Sequence, residues 1–427
     1  MVAVDYDFAT LDLSAESDES EAAVARRRGW LGAVQRGFHQ GRPGEEFEKV
    51  WLTHARADDV VCAGAWLPEG EFGAGPVPVA TFAHFDKTLN AGHELLPLRM
   101  ITDVTTSPAH RRRGLVRRLM ETNLADAVTS GIPVAALTAS EATIYGRWGF
   151  GAATFAQKIE VNTGPRFGLR AFDDPGRVEL IEPPESWPIV KGVFDKFHAA
   201  NRGSVDWPQF YEVIHTGAFD FEDGGADKKL RGAVHLDGDG TVDGVVLYKA
   251  DGQGDERKIK ITEMMALTTT AGLALWGFLG GIDMAQKVTF GLAHPDDPLQ
   301  WALTDINAVS YTAVSEFLWV RILDVERALT ARPWAVDGQV VLEVEDDQGH
   351  AAGRFRIVSE GGHAKVTRTD EAGEVRVTAE TLGSMYLGGA HVSALRRAGR
   401  VDGADDAVAR FAAMADLAVP PYNLTGF

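Results

Sequence analysis

The stretch that most restricts the fold is "LRMITDVTTSPAHRRRGLVRRLM", from Leu98 to Met120. Its first part reads as a strand ending near Thr106, and a helix begins near Arg113. Leu115, Val116, Leu119, Leu124 and Val128 recur at helical spacing, and "SGIP" supplies a Gly-then-Pro stop. The short apolar strand "VAALTAS" follows, then a helical turn in "EATIYGRWGFG". Strand, loop, helix and strand in this order make an α/β unit. The loop packs Arg111, Arg112, Arg113, Arg117 and Arg118 around Gly114, in a chain of net charge −19. Three readings compete: a nucleic-acid contact, a solvated helix start, or a seat for a phosphorylated cofactor. A helix N-terminus presents unsatisfied N–H groups and partial positive charge, so phosphate sits well there. Gly114 lets an anion approach the backbone closely. Neither G-x-x-x-x-G-K-[ST] nor G-x-G-x-x-G is present.

The net charge, 42 Lys+Arg against 61 Asp+Glu, opposes non-specific binding to nucleic acid or to an anionic membrane. At 427 residues and 45% apolar, the chain can bury large cores in several domains. Cys62 is the single cysteine, which rules out an intrachain disulfide and fits a reducing compartment. The acidic N-terminus lacks the basic flank and apolar run of a signal peptide, and "GLALWGFLGGI" is too short to span a bilayer. The expectation is a cytoplasmic protein.

Residues 1–160 contain the α/β unit, preceded by a helix whose face is Trp30, Leu31, Val34 and Phe38. Over 161–310 a similar order returns. Trp187, Val190, Val193, Phe194 and Phe197 form a helix face, "DGVVLYKA" and "KIKITEMMALT" read as strands, and "AGLALWGFLGG" reads as a helix. No arginine-glycine loop joins that strand to that helix. Internal duplication and reuse of a common α/β arrangement both account for the order. Residues 311–427 read as an α+β domain, with strands around residues 340–344, 354–358, 363–367 and 375–377 before two helical stretches.

The motif R-x-x-G-x-V, Arg111 to Val116 after a strand, resembles the coenzyme A loop of the GCN5-related N-acetyltransferases (GNAT). The pair "VTTSPAHRRRGLVRRLM" and "VAALTASEATIYGRWGFG" resembles, more narrowly, the enhanced intracellular survival (Eis) family. The resemblance implies tandem GNAT-fold domains, each a mixed sheet with flanking helices and the second inactive, followed by a sterol-carrier-protein-like α+β domain. It also implies acetyl-CoA as cosubstrate, no metal, and a homohexamer built as a trimer of dimers. Val104, Thr105 and Thr106 would hold the pantetheine arm and acetyl group. Backbone from Arg111, Arg112, Arg113, Gly114, Leu115, Val116 and Arg117 would cradle the pyrophosphate, and Ser140 and Glu141 would flank the thioester. Tyr145 would be the general acid and the C-terminal carboxylate of Phe427 the general base.

The roles suit the chemistry. Attack on a thioester needs a neutral amine, hence a base, and the departing sulfur benefits from a proton donor. A free α-carboxyl has a pKa of about 3.3–3.7, so Phe427 needs partial desolvation to gain basicity. The ending "VPPYNLTGF" carries no charged side chain and is compatible with burial. Members that acetylate aminoglycosides line the amine pocket with acids. Here Gly426 and Gln40 stand where two would be, which tells against a polycationic acceptor. His39 and Trp51 are further candidates for the pocket wall.

The expected function is direct transfer of an acetyl group to a primary amine, aminoglycoside-, polyamine- or lysine-like. The alternatives are a non-catalytic acyl-CoA- or lipid-binding module and a nucleic-acid binder. "LDGDGTVDG" lacks the glutamate a calcium loop needs, since Tyr248 stands there, and reads as a hairpin turn. Glu343, Glu345, Asp346 and Asp347 read as a strand edge and turn, not a metal site.

Overall fold

The computed structural model describes residues 5–139, 141–252 and 257–427. The first segment holds strands β1 (Asp7–Thr10), β2 (Val61–Trp66), β3 (Ala80–Asn90), β4 (Leu95–Thr106), β5 (Val134–Thr138) and β6 (Gly151–Ala152), with helices α1 (Glu21–Gly37), α2 (Glu45–Ala57) and α3 (Leu115–Thr129). The second holds β7 (Phe155–Asn162), β8 (Arg177–Ile181), β9 (Arg231–Leu236), β10 (Val242–Asp251), β11 (Lys258–Ala266), β12 (Lys287–Ala293) and β13 (Val309–Glu316). Its helices are α4 (Trp187–Ala200), α5 (Tyr211–His215), α6 (Thr269–Gly280) and α7 (Leu299–Ala302). After β14 (Leu318–Ile322) come α8 (Val325–Ala331), β15 (Gly338–Glu345), β16 (Gly353–Glu360), β17 (His363–Arg368), β18 (Val375–Thr378), α9 (Ala379–Tyr386), α10 (Val392–Arg397), β19 (Val401–Gly403) and α11 (Asp405–Ala415).

Two seven-stranded sheets run β1-β2-β3-β4-β5-β14-β6 and β8-β9-β10-β11-β12-β7-β13. Position by position they have the same plan, with the parallel pair β4–β5 matching β11–β12. In each, the sixth strand comes from elsewhere in the chain. β7 leaves the first segment to sit between β12 and β13, and β14 returns after the second to sit between β5 and β6. The sheets therefore do not divide at 160/161 and 310/311, where the sequence suggested cuts. β7 straddles the first cut, and β14 lies past the second yet belongs to the first sheet.

The apolar run of β5 follows from burial on both faces. Val134 and Ala136 pack toward the third segment, in one core with Leu318, Val320, Val340 and Ile357. Ala135 and Leu137 pack toward α3, with Leu115, Leu119, Leu124, Tyr145 and Trp148. Val128, expected on that helix face, is 42% exposed. The third segment is a five-stranded sheet, β17-β16-β15-β18-β19, under α8 to α11. Asp346 is no surface turn acid: it bonds buried Arg321 of β14 at 2.6 Å, tying the third segment to the first sheet. The Asp237 turn does join β9 to β10 as a hairpin, its carboxylate accepting the Asp239 and Thr241 amides.

Candidate active site

β4 and β5 pair from Leu98 to Met100 against Val134 to Ala136, and past that point they part. β4 continues against β3 to Thr106, while β5 continues against β14 to Thr138. The cause is a bulge. Thr81 pairs Thr105 and Ala83 pairs Thr102, so Asp103 and Val104 together oppose Phe82. Asp103 has φ 52°. The Thr81 hydroxyl donates to the Asp103 carbonyl at 2.7 Å and receives the Thr105 hydroxyl at 2.6 Å, which pins the bulge. A cavity of about 290 Å³ opens in the wedge. Thr102, Asp103 and Val104 form one wall, Thr138, Ala139 and Tyr145 the other, and Phe38 and Phe427 close it.

Beyond β4, the loop turns through a 3₁₀ turn at Pro108–His110. Arg112 and Gly114 both take left-handed conformations, with φ 62° and 78°. A Cβ on Gly114 would meet nothing within 4 Å, so the requirement for glycine there is conformational and leaves open space at the helix end. Helical bonding in α3 starts with the Arg118 amide to the Gly114 carbonyl at 3.0 Å, and among the described residues no side chain caps the helix. The amides of Leu115, Val116 and Arg117 thus face outward. The Arg113 guanidinium donates to the Tyr6 hydroxyl at 2.8 Å, bracing the loop against the N-terminal segment. Arg111, Arg112 and Arg117 are exposed, and Arg111 shares a narrow cleft with Arg36, His39, Thr105 and Thr106. Val104 thus lines the wedge, Thr105 and Thr106 line the cleft that holds Arg111, and the α3 end with its outward amides follows them in the chain, an order that suits a pantetheine arm and a pyrophosphate. The residues present fit coenzyme A.

Tyr145, at the start of a 3₁₀ turn, is 5% exposed. Burial, helped by the charge of Glu141, pushes its phenol up to about 12, so it stays protonated at neutral pH. Glu141 itself is exposed, accepting from Thr143 at 3.2 Å. Ser140 lies outside the described residues. Phe427 reaches the wedge because the tail is held throughout. The Tyr422 amide bonds the Arg202 carbonyl, the Asn423 carboxamide accepts the Val205 amide, and Thr425 donates to the Val205 carbonyl. The Gly426 amide donates to the Tyr211 hydroxyl at 2.7 Å. Thr138 donates to a terminal oxygen of Phe427 at 2.5 Å. The structure therefore brings Val104, Tyr145 and Phe427, which are far apart in the sequence, around one cavity.

His39 and Gln40 line a wide outer cleft of about 970 Å³, and Trp51 lines a second inner cavity of about 320 Å³ beyond the bulge. Sequence reasoning missed Asp103, Thr138, Tyr211 and the aromatic lining of that inner cavity. Asp103 alone left a signal, as the one acid in the strand LLPLRMITDVTT.

A split parallel pair with an uncapped, glycine-led helix N-terminus below it defines an acyl-CoA site of the GNAT kind. Two models described as acetyltransferase (GNAT) domain match residues 23–153 and 202–322, and a sterol carrier protein domain model matches 325–423. The protein is an N-acetyltransferase with tandem GNAT folds and a sterol-carrier-like C-terminal domain, and its domains imply acetyl-CoA as acyl donor. The N-acetyltransferase Eis of Mycobacterium tuberculosis is 33% identical over 380 residues, covering 86% of this chain and 89% of that protein. An uncharacterized N-acetyltransferase of Streptomyces griseus is 35% identical over 388 residues, covering 87% and 90%. The crystal structure of Eis1 from Mycobacterium abscessus superposes with TM-score 0.79 at 27% identity, covering 99% of this chain and 100% of that one. The chain belongs to the Eis family of N-acetyltransferases. Among the described residues, no helix is long and apolar enough to cross a membrane.

Proposed function

We propose that the chain transfers the acetyl group of acetyl-CoA directly to a primary amine at the β4–β5 wedge, with Tyr145 as acid and the Phe427 carboxylate as base. The observation that carries this reading is that Tyr145 and Phe427 share one cavity with the bulged edge of β4. Acetyl-CoA supplies an activated acyl group. The outward amides of Leu115, Val116 and Arg117 hold its phosphates with Arg111, Arg112 and Arg117, and Val104, Thr105 and Thr106 align the arm. Backbone amides of the bulge, freed from ladder bonding, stabilise the developing oxyanion. The Phe427 carboxylate, oriented by Thr138, takes the proton of the attacking amine. A thiol has a pKa of about 8.5, below that of Tyr145. Tyr145 therefore acts first as a hydrogen-bond donor to the departing sulfur and completes the proton transfer as the amine's charge is neutralised.

Cys62 is fully buried, and burial with the nearby Asp103 charge pushes its thiol well up. That supports transfer without an acyl-enzyme. Aminoglycosides, polyamines and lysine side chains are the acceptor classes to compare, and Gly426 and Gln40 weigh against the first. A homohexamer and a cytoplasmic setting complete the reading; light scattering and fractionation test them. The decisive assay is thiol release from acetyl-CoA with Tyr145→Phe as control. Release that needs both an amine and Tyr145 supports the assignment. Saturable acetyl-CoA binding without release under any amine would reassign the protein as an acyl-CoA-binding module.

A further inference from the structure

The bulge carries an acid that the transfer chemistry leaves unused. Asp103 is half-buried and its carboxylate has neither ion-pair nor hydrogen-bond partner among the described residues. Burial, unrelieved by any cation, raises it to about 6. The other acidic side chain lining the inner cavity is occupied: Asp58 takes Lys87 at 2.5 Å and the Gln209 amide at 2.7 Å. Asp103 and Phe427 both line the reaction cavity of about 290 Å³ and the inner cavity of about 320 Å³. Walls of the inner cavity include Phe47, Trp51, Phe85, Phe210 and Phe221, drawn from α2, β3 and the second domain.

We propose that Asp103 is the acceptor-recognising carboxylate: it holds the ammonium of the incoming amine at the junction of the two cavities, and the aromatic chamber takes that amine's apolar body. The acceptor is then a monoamine bearing an aryl or alkyl group. This rests on acetyl transfer at the same wedge. An unpaired carboxylate drawn partly out of water is costly, and an arriving ammonium relieves that cost. Aromatic faces attract the cation and bury its substituent. A polycation would instead carry several hydrated charges into a chamber whose other acid, Asp58, is already paired. The bound ammonium first gives up one proton to solvent, and the neutral amine attacks: the N–C bond forms and the C–S bond breaks. The second amine proton goes to the Phe427 carboxylate, the sulfur takes one from Tyr145, and the Phe427 carboxyl then returns a proton to the phenolate.

The test is calorimetric titration of 2-phenylethylamine, hexylamine, spermidine and kanamycin into the full chain saturated with CoA, for the wild type and Asp103→Asn. Asparagine matches aspartate in size and tolerates the left-handed region, and acetyl-CoA affinity within threefold of wild type checks the fold. The two monoamines should bind more tightly than spermidine or kanamycin and lose at least tenfold in Asp103→Asn. Trp51→Leu, which leaves the bulge untouched, should weaken phenylethylamine but not methylamine. Equal binding of phenylethylamine by wild type and Asp103→Asn, preference for kanamycin, or no amine binding would each overturn the proposal. Binding is read without turnover. Asp103-dependent binding without acetyl transfer would sink the catalytic reading alone, and transfer indifferent to Asp103 would sink this one alone.

Discussion

The two GNAT sheets share their strand order, yet only the first keeps an open wedge lined with the residues proposed to react. In the first, residues 107–114 separate strand from helix, and α3 begins uncapped at a left-handed glycine. In the second, Leu267 and Thr268 alone do so. There the Thr268 hydroxyl accepts the Ala271 amide at 3.1 Å and donates to Asp243 at 2.9 Å, so the end of α6 is sealed by its own cap. The wedges differ in the same sense. Beyond Phe290, where β11 and β12 stop pairing, the Tyr422 hydroxyl bonds the Leu292 carbonyl, and Tyr422 and Leu424 join the second core. The second domain gives its opening to the tail, and the tail delivers Phe427 to the first. A duplicated fold can thus lose a ligand site and become the support for its twin's.

If the contrast is functional, the largest effects must come from the first wedge. Tyr145→Phe should lower kcat by about 10²–10⁴-fold with acetyl-CoA affinity held, the range general acid catalysis supplies. A C-terminal extension past Phe427, or its deletion, should cost about as much while Tm barely moves, since residues 420–426 keep their bonds. Steady-state thiol release checks both, and a tagged enzyme as fast as the untagged one would show that another group takes the proton. Next in size, Gly114→Val forces a β-branched residue to φ 78° and crowds the anion seat. It should raise the KM for acetyl-CoA about tenfold or more, whereas Thr268→Gly at the matching end of α6 should leave that KM alone and lower only Tm. A rise in KM from Thr268→Gly would mean that the second domain still binds cofactor.

Smaller still is the effect of loosening the tail. Tyr211→Phe removes the hydroxyl that both receives the Gly426 amide and donates to its carbonyl at 3.1 Å. A lost pair of hydrogen bonds costs about 1–2 kcal/mol, and here the loss falls on positioning. kcat should fall several-fold, with the KM for acetyl-CoA unchanged. A loss in KM alone would place Tyr211 in the cofactor path instead.

The difference between the two domains was half legible in the sequence. The arginine-glycine loop and its absence from the second unit are local patterns, and so are the helix faces that place them. Strand exchange is not local. Phe155–Asn162 and Leu318–Ile322 have ordinary strand patterning, and nothing in alternation names the partner strand. The buried Arg321 within the apolar β14 was a clue that this strand meets a second layer, since a charge there needs a partner such as Asp346. The bulge at Asp103 left only its acid as a trace, because a register slip depends on the pairing of β3 with β4. The tail's path is likewise written in long-range bonds, to Arg202, Val205 and Tyr211, that no spacing predicts.

The least effect, and the one that reads the two domains independently, is on stability against pH. His84 of β3 has no acid bonded to it among the described residues, and burial with the Arg99 charge lowers it to about 4. The unfolded chain, with its histidine near 6.5, then takes up this proton first. His84 therefore makes the protein lose stability as pH falls from about 6.5 toward 4. His235 of β9 lies between Asp243 at 2.6 Å and Asp174 at 3.2 Å, and these bonds outweigh its burial and raise its pKa. Its contribution has the opposite sign: fully present below about 6.5, and lost as pH rises through the raised folded value. His84→Gln should therefore flatten the acid side of a Tm–pH curve, and His235→Gln should lower Tm most in acid and progressively less toward pH 8. Each change amounts to a few degrees. Differential scanning calorimetry of the two variants between pH 5 and 8 checks the signs. Acid-side flattening from His235→Gln instead would mean that its two carboxylates do not hold it charged, and that the second domain's polar core is organised otherwise.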